Sequence, residues 1–329
     1  GGSGGGEPAL AQAWALHCET ADRSYLPCDA AARGGARPSS SVVAHLSCGP
    51  HGQLAAAAGR SIFLLALGAS APRRRLRAAA AVSSLVHAPK RRLLCAAGYG
   101  GVSVWEGFGL GEAPARLLPF KGPLEALSLP PDERYAAAGA QDCTLVLWPL
   151  HAGGSRDGDG GDNGGGGVGP ASEAEAAVEG GAALFFGGYE RKVGPVAWDS
   201  SGRFCASAGG RSAVVWDIGP PGAPPPVRRN GRATLLLGHR SSVEWLGFAP
   251  AEPAVAATIV AAAAGCRVLL YSLDQREGGE GTTHASSLRP VAECTLPDGR
   301  RGEELVLAWG RDGYLFGACG GSLFAWRAG

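Results

Sequence analysis

The 329-residue chain is 45% hydrophobic, enough for a large buried core, and it sets 30 basic against 29 acidic residues for a formal net charge of +1. That balance gives no global field to draw the protein to nucleic acid or to a membrane surface, so neither is an expected partner and any electrostatic role falls to local patches. The most apolar stretch, AVAATIVAAAAGC, is bounded by Pro253 and Arg267, too short for a bilayer helix.

Nine cysteines, odd in number and without a CxxC pair, lie partly inside apolar runs such as LLCAAG and FCASAGG. They read as small buried hydrophobes, which predicts an intracellular, reducing compartment, the cytoplasm first. A chain with no Met that begins with Gly is expected to be a fragment or a processed product.

Residues 1–40 fit none of the pattern that follows. Gly1 to Gly6 is expected to be disordered, and Pro8 to Cys18 reads as a short Ala-rich helix or as a stray outer strand, with the strand preferred. From Ser41 a repeat takes over. VVAHLSCGPHGQLAAAAGRSIFLLAL contains Leu65, VSSLVHAPKRRLLCAAGYGGVSVWEG contains Trp105, and LEALSLPPDERYAAAGAQDCTLVLW ends at Trp148, at intervals of roughly 40 residues. A Gly/acidic insert, 151–181, then carries Asp157, Asp159, Asp162, Glu173, Glu175 and Glu179 with almost nothing to bury, which predicts disorder.

Residues 182–218 are the clearest unit. An apolar run (Ala182 to Phe186), a Gly-rich loop, the strand Val193 to Trp198, a turn at Asp199 to Gly202 and the strands Phe204 to Ala208 and Ala213 to Trp216 predict short antiparallel strands. Two further copies end at Tyr271 and Trp326, separated by Pro- and Gly-rich loops at 219–232 and 275–289. Each such sheet is too small to bury both faces alone and must stack on its own kind.

The AWDSSGRF turn, the Gly209-Gly210 turn and the Trp216-Asp217 dipeptide resemble a WD40 repeat. The resemblance implies an all-β fold, a WD40-like β-propeller with six recognisable four-stranded blades and room for a seventh in the full-length protein. Residues 41–329 would form the propeller, and 1–40 an N-terminal segment whose Ala9 to Leu16 supplies a closing strand, the alternative being a further blade upstream. The family often braces its blades with a buried His, Ser/Thr, Asp and Trp relay. Here His239 stands in the expected Gly-His loop but its blade ends at Tyr271, and Asp142 has no His before its blade, so apolar stacking is expected to outweigh polar relays. Residues 187–217 further resemble a bacterial and algal WD40 subgroup linked to CobW-type metal-handling GTPases, which implies an accessory role as one alternative.

Because successive strands of a blade alternate in direction, A–B and C–D connections emerge on one face and B–C and D–A connections on the other. The first face is expected to carry the three long insertions and a basic patch, Arg73, Arg74, Arg75, Arg77, Lys90, Arg91 and Arg92, able to meet an acidic partner or the acidic insert. The second face has tight loops that gather Tyr189, Arg191, Lys192, His239, Arg240 and, with Arg300, Arg301. Tyr and Arg dominate interface hot spots, so this face is the preferred partner-binding site.

Catalytic and metal motifs fail on context. The GxSxG match at Gly1 to Gly5 lacks its flanking strand and helix, the run DGDGGDNGGGG lacks the closing Glu of a calcium loop, and His17, Cys18 and Cys28 have no zinc spacing. The expectation is a scaffold for protein partners, a monomeric propeller within a complex, with no cofactor, metal or catalytic residue. The rival is an enzymatic propeller, hydrolase or lyase, using Glu125 and Glu244 at the central channel.

Overall fold

The computed structural model describes residues 43–66, 72–107, 111–150, 183–221, 233–250, 258–265, 267–275, 286–295, 306–310, 313–319 and 322–327. The expectations for residues 1–40 and for the insert 151–181 lie outside the described residues. Blade one is an antiparallel sheet in chain order: β1 (His45–Cys48), β2 (Gln53–Ala58), β3 (Ser61–Ala66) and β4 (Arg74–Arg77). The next sheet holds six strands, β5 (Val82–Ala88), β6 (Leu93–Glu106), β7 (Arg116–Ser128), β8 (Tyr135–Ala140), β9 (Leu145–Pro149) and β10 (Leu184–Phe186). Then come β11 (Val193–Trp198), β12 (Phe204–Gly209), β13 (Ser212–Asp217) and β14 (Ala233–Leu236), followed by β15 (Trp245–Phe248), β16 (Ile259–Ala264) and β17 (Arg267–Ser272). Beyond these, β18 (Ser286–Leu288) lies parallel to β14, β19 (Ala292–Thr295) completes the sheet of β17, and β20 (Val306–Trp309), β21 (Tyr314–Cys319) and β22 (Ser322–Arg327) form the last.

The repeat predicts six separate sheets, and the described residues form five. The reason lies in β6 and β7. β6 reverses at Tyr99–Gly100, where Gly100 and Gly101 have φ of 89° and 133°. Leu93, Cys95 and Ala97 before the turn and Val102 and Val104 after it line one core, the change of parity that a two-residue hairpin produces. Tyr99 also pairs with Pro123, so the ladder runs through the turn into β7. The first half of β7 is the outer strand of blade two and its second half the inner strand of blade three.

Apolar packing restores the count of six. Five buried clusters are found, one for each neighbouring pair of blades from one–two to five–six, and the inner strands β1, β5, β7, β11, β15 and β20 stand side by side in that order. Each interface seats an aromatic from the third strand of the later blade: Trp105, Trp148, Trp216, Tyr271 and Trp326. Four of the five are buried and Trp326 is half-buried; a large side chain taken wholly out of water stabilises by about 2–3 kcal/mol. The second strands, β2, the start of β6, β8, β12 and β16, are alanine-rich and buried on both sides, as at Ala55–Ala57, Ala136–Ala138 and Ala261–Ala263. Alanine disfavours strands in isolation, but here its small side chain lets two blades close on the middle of a third.

The segment 275–289, read as a loop, is partly strand. Thr234 Oγ1 and Ser286 Oγ are 2.8 Å apart, Leu237 N–H donates to Leu288 O at 2.9 Å, and Leu288 is buried in the core between blades four and five. β18 therefore covers the outer edge of blade four before the chain returns to blade five as β19.

Candidate interaction face

The tight-loop face is built on the loops that enter blades four and five. In the first, Tyr189 turns inward and is only 7% exposed. Its hydroxyl is hydrogen-bonded to Ser207 Oγ and accepts from Trp216 Nε1 at 2.7 Å, while Trp216 Nε1 also reaches Ser207 at 3.2 Å. Burial pushes the Tyr189 hydroxyl far above its ordinary range despite these bonds. A Cβ at Gly209 would stand 2.4 Å from Arg191 O and 2.7 Å from Tyr189 Cβ, so only glycine lets the loop lie so close to β12.

Blade five repeats the device with other residues. Tyr271 Oη donates to Leu237 O at 2.7 Å and lies 3.1 Å from His239 Nε2. Burial, and secondarily the charge of Arg267, brings His239 down to about 4, so the imidazole is neutral at pH 7. One expectation is corrected here and one is refined. The relay is eroded but not lost: a shortened form without its Asp stands in both blades, with Tyr189 in the His position of blade four and Tyr271 in the Trp position of blade five. Tyr189 is therefore a buried brace and not a contact residue, and His239 is half-buried in the same service.

The cations of the two loops point outward. Arg191, Lys192 and Arg240 are exposed, and Arg301 lies outside the described residues. Lys192 Nζ meets Glu125 Oε2 at 2.9 Å across blades four and three. Arg211 Nε is 3.6 Å from Glu190. Arg267 grips Glu293 through Nε and Nη2 at 2.7 and 2.6 Å, and with Arg240 nearby the Glu293 carboxyl is held below its ordinary value. Tyr99 is 70% exposed at the B–C tip of blade two on this same face.

The opposite face uses its charges differently. Arg74, Arg75 and Arg77 are not in a C–D loop, as the sequence suggests, but on the edge strand β4, with Arg73 just before it. Charged side chains on an edge strand hinder pairing with other chains. Arg75 lies over the Phe63 ring at 5.9 Å and donates to Ser61 Oγ at 2.9 Å. Lys90, Arg91 and Arg92 form the A–B turn of blade two as expected. A residue not foreseen holds that turn: the buried Glu133 carboxylate of blade three accepts Lys90 and Arg91 N–H at 2.9 and 2.8 Å, and Arg91 Nε donates to Glu133 O at 2.7 Å. Its neighbour Arg134 reaches the other way. Its guanidinium donates to Gly202 O at 3.0 Å and Pro220 O at 2.6 Å, and to Gly219 O, all in blade four. Glu133–Arg134 thus staples three consecutive blades.

Stacked antiparallel blades with their inner strands side by side define a β-propeller. Residues 117–149, which run from β7 to the end of β9, match the family model described as WD domain, G-beta repeat. This match and the ring of small antiparallel sheets support a WD40 propeller, although the match falls on blade three and not on the segment 182–218 that carries the Trp-Asp dipeptide. No curated protein matches the chain. Among the described residues no group of three or more His, Cys, Asp or Glu could hold a metal ion, and no helix is long and apolar enough to cross a membrane.

Proposed function

We propose that this propeller is a non-catalytic scaffold that binds a protein partner through its tight-loop face, with Arg191, Lys192 and Arg240 as contacts and Arg301 in the next loop of the series. One observation carries the reading: two neighbouring loops are each pinned from below, by Tyr189 and by His239, while their cations stand exposed. Loops fixed before binding lose little ordering entropy when a partner arrives, so the guanidinium groups act at full strength. The partner surface would be acidic or rich in acceptors. An enzymatic channel gains no support from Glu125, whose carboxylate is engaged by Lys192.

Losing a central hot-spot Arg costs about 2 kcal/mol in binding, roughly 30-fold. Arg191→Glu/Arg240→Glu is expected to lose the partner in affinity pull-down from a lysate of the source while keeping its circular dichroism. Arg73→Glu/Arg75→Glu on β4 is expected to keep the partner. The reverse pattern would move the site to the edge of blade one.

A further inference from the structure

Between blades two and three, on the stapled face, a groove of about 460 Å³ opens. Its floor is apolar, from the buried Leu93 and Leu150, and its rim carries Arg91, Arg92 and Arg116 against the single carboxylate of Glu106. The buried Glu133 carboxylate lies just behind, held by the Lys90 and Arg91 N–H groups, and the cations still outnumber the carboxylates around this small opening.

The cations converge by construction. Arg91 Nη1 and Arg116 Nη2 each lie 3.4 Å from the same acceptor, Leu150 O. Like charges on one carbonyl repel, and Arg91 is kept there by the 2.7 Å bond from its Nε to Glu133 O. Arg92 adds a second, independent sign. Among the described residues the last residue of an A–B turn is left-handed, which glycine supplies in blade one (Gly52, φ 69°), blade four (Gly202, φ 73°) and blade six (Gly313, φ 75°). Blades two and three seat Arg92 (φ 55°) and Glu133 (φ 57°) there instead. A side chain held in that conformation points to use of the side chain, and for Glu133 the use is the staple. Arg92 is exposed and lines the groove.

We infer that this groove is a binding site for a phosphate-class dianion. Planar guanidinium forks match the oxygens of a phosphate monoester, and an excess of cations over carboxylates favours its negative charge. The volume falls within the range of roughly 300–1,000 Å³ usual for ligand pockets, so the phosphate would arrive on a carrier, either a phosphorylated side chain or a small phosphorylated molecule. The site lies on the face opposite the proposed partner surface and does not depend on it.

Titration calorimetry of the whole chain with inorganic phosphate, O-phosphoserine and a phosphoserine peptide tests the assignment. Saturable binding is expected, weakened about tenfold or more in Arg92→Gly and unchanged in Arg73→Ala. Glycine suits the left-handed seat, so Arg92→Gly removes the guanidinium without endangering the fold. Tighter binding of the peptide than of O-phosphoserine assigns the carrier to a protein, and equal binding assigns it to a small molecule. No saturable heat with any of the three, or equal weakening in both variants, overturns the proposal.

Discussion

The two faces of the propeller spend the same kinds of residue in opposite ways. On the A–B/C–D face, Glu133 and Arg134 are buried; the Glu133 carboxylate and Arg134 Nη1 and Nη2 are taken up by backbone groups of blades two and four, and Arg134 Nε lies 3.3 Å from Asp132. On the D–A/B–C face the buried work falls to Tyr189, Ser207, Trp216, His239 and Tyr271, leaving Arg191, Lys192 and Arg240 at the surface. Charge in a loop is therefore no guide to availability. What decides it is whether the next blade offers unpaired carbonyls or N–H groups within reach, as the turn at 199–202 does to Arg134.

Arg134→Ala is the strongest way to break this contrast. It would leave the buried carbonyls of Gly202 and Gly219 and the partly exposed one of Pro220 without their donor, a loss of about 2–4 kcal/mol when a buried acceptor left unsatisfied costs about 1–3 kcal/mol. Urea unfolding should show the loss as a lower midpoint with an unchanged slope. A shift under about 1 kcal/mol would mean that water replaces the guanidinium and that the staple is cosmetic.

The pH response sharpens the other side. Burial brings both His87 and His239 down to about 4, against an ordinary value near 6.5. Each is neutral in the folded state between those limits and protonated in the unfolded chain, so the unfolded state binds more protons there. Stability is expected to be level above about pH 6.5 and to fall as pH drops toward 4, with about two protons taken up by these groups on unfolding near pH 5 and a smaller share by His45, which burial also lowers. Denaturant midpoints across pH measure this, and His239→Gln should remove a little under half the slope. An unchanged slope in His239→Gln would show that the loop of blade five is open to water, and a flat wild-type profile that both histidines are.

Tyr189→Phe asks less of the fold. Only the hydroxyl goes, Ser207 and Trp216 keep each other at 3.2 Å, and a net loss of about 1 kcal/mol in unfolding free energy is expected. Truncation to Ala would also leave a cavity, so it is no clean probe of partner binding. A Tyr189→Phe variant that is fully stable but loses its partner would return Tyr189 to the interface.

The architecture was legible because its signals are local. Turn glycines, the Trp216-Asp217 dipeptide and a period near 40 residues depend on neighbours in sequence, and strand parity sorts the insertions onto one face. The relay of blade four was hidden because Tyr189 replaces the usual imidazole, and the geometry that identifies it, Tyr189 to Ser207 to Trp216, spans 27 residues. The staple was hidden for the same reason: nothing in PPDERY marks Glu133 as facing one blade and Arg134 the next. β4 was misread because RRLR shows too few apolar residues, only Leu76 being buried, to read as a strand.

The smallest effect separates the two left-handed turn residues of the stapled face. A non-glycine residue in that conformation costs about 1 kcal/mol relative to glycine. Arg92→Gly relieves that cost and gives up only an exposed side chain, so unfolding free energy should rise by about 0.5–1 kcal/mol, partly offset by the greater freedom of glycine in the unfolded chain. Glu133→Gly relieves the same strain but deletes the carboxylate that holds Lys90 and Arg91 N–H, and should be clearly destabilised. Opposite signs at two equivalent positions would show that Glu133 serves the fold and Arg92 does not. If both variants are destabilised alike, Arg92 is also structural, and its place at the groove owes nothing to a ligand.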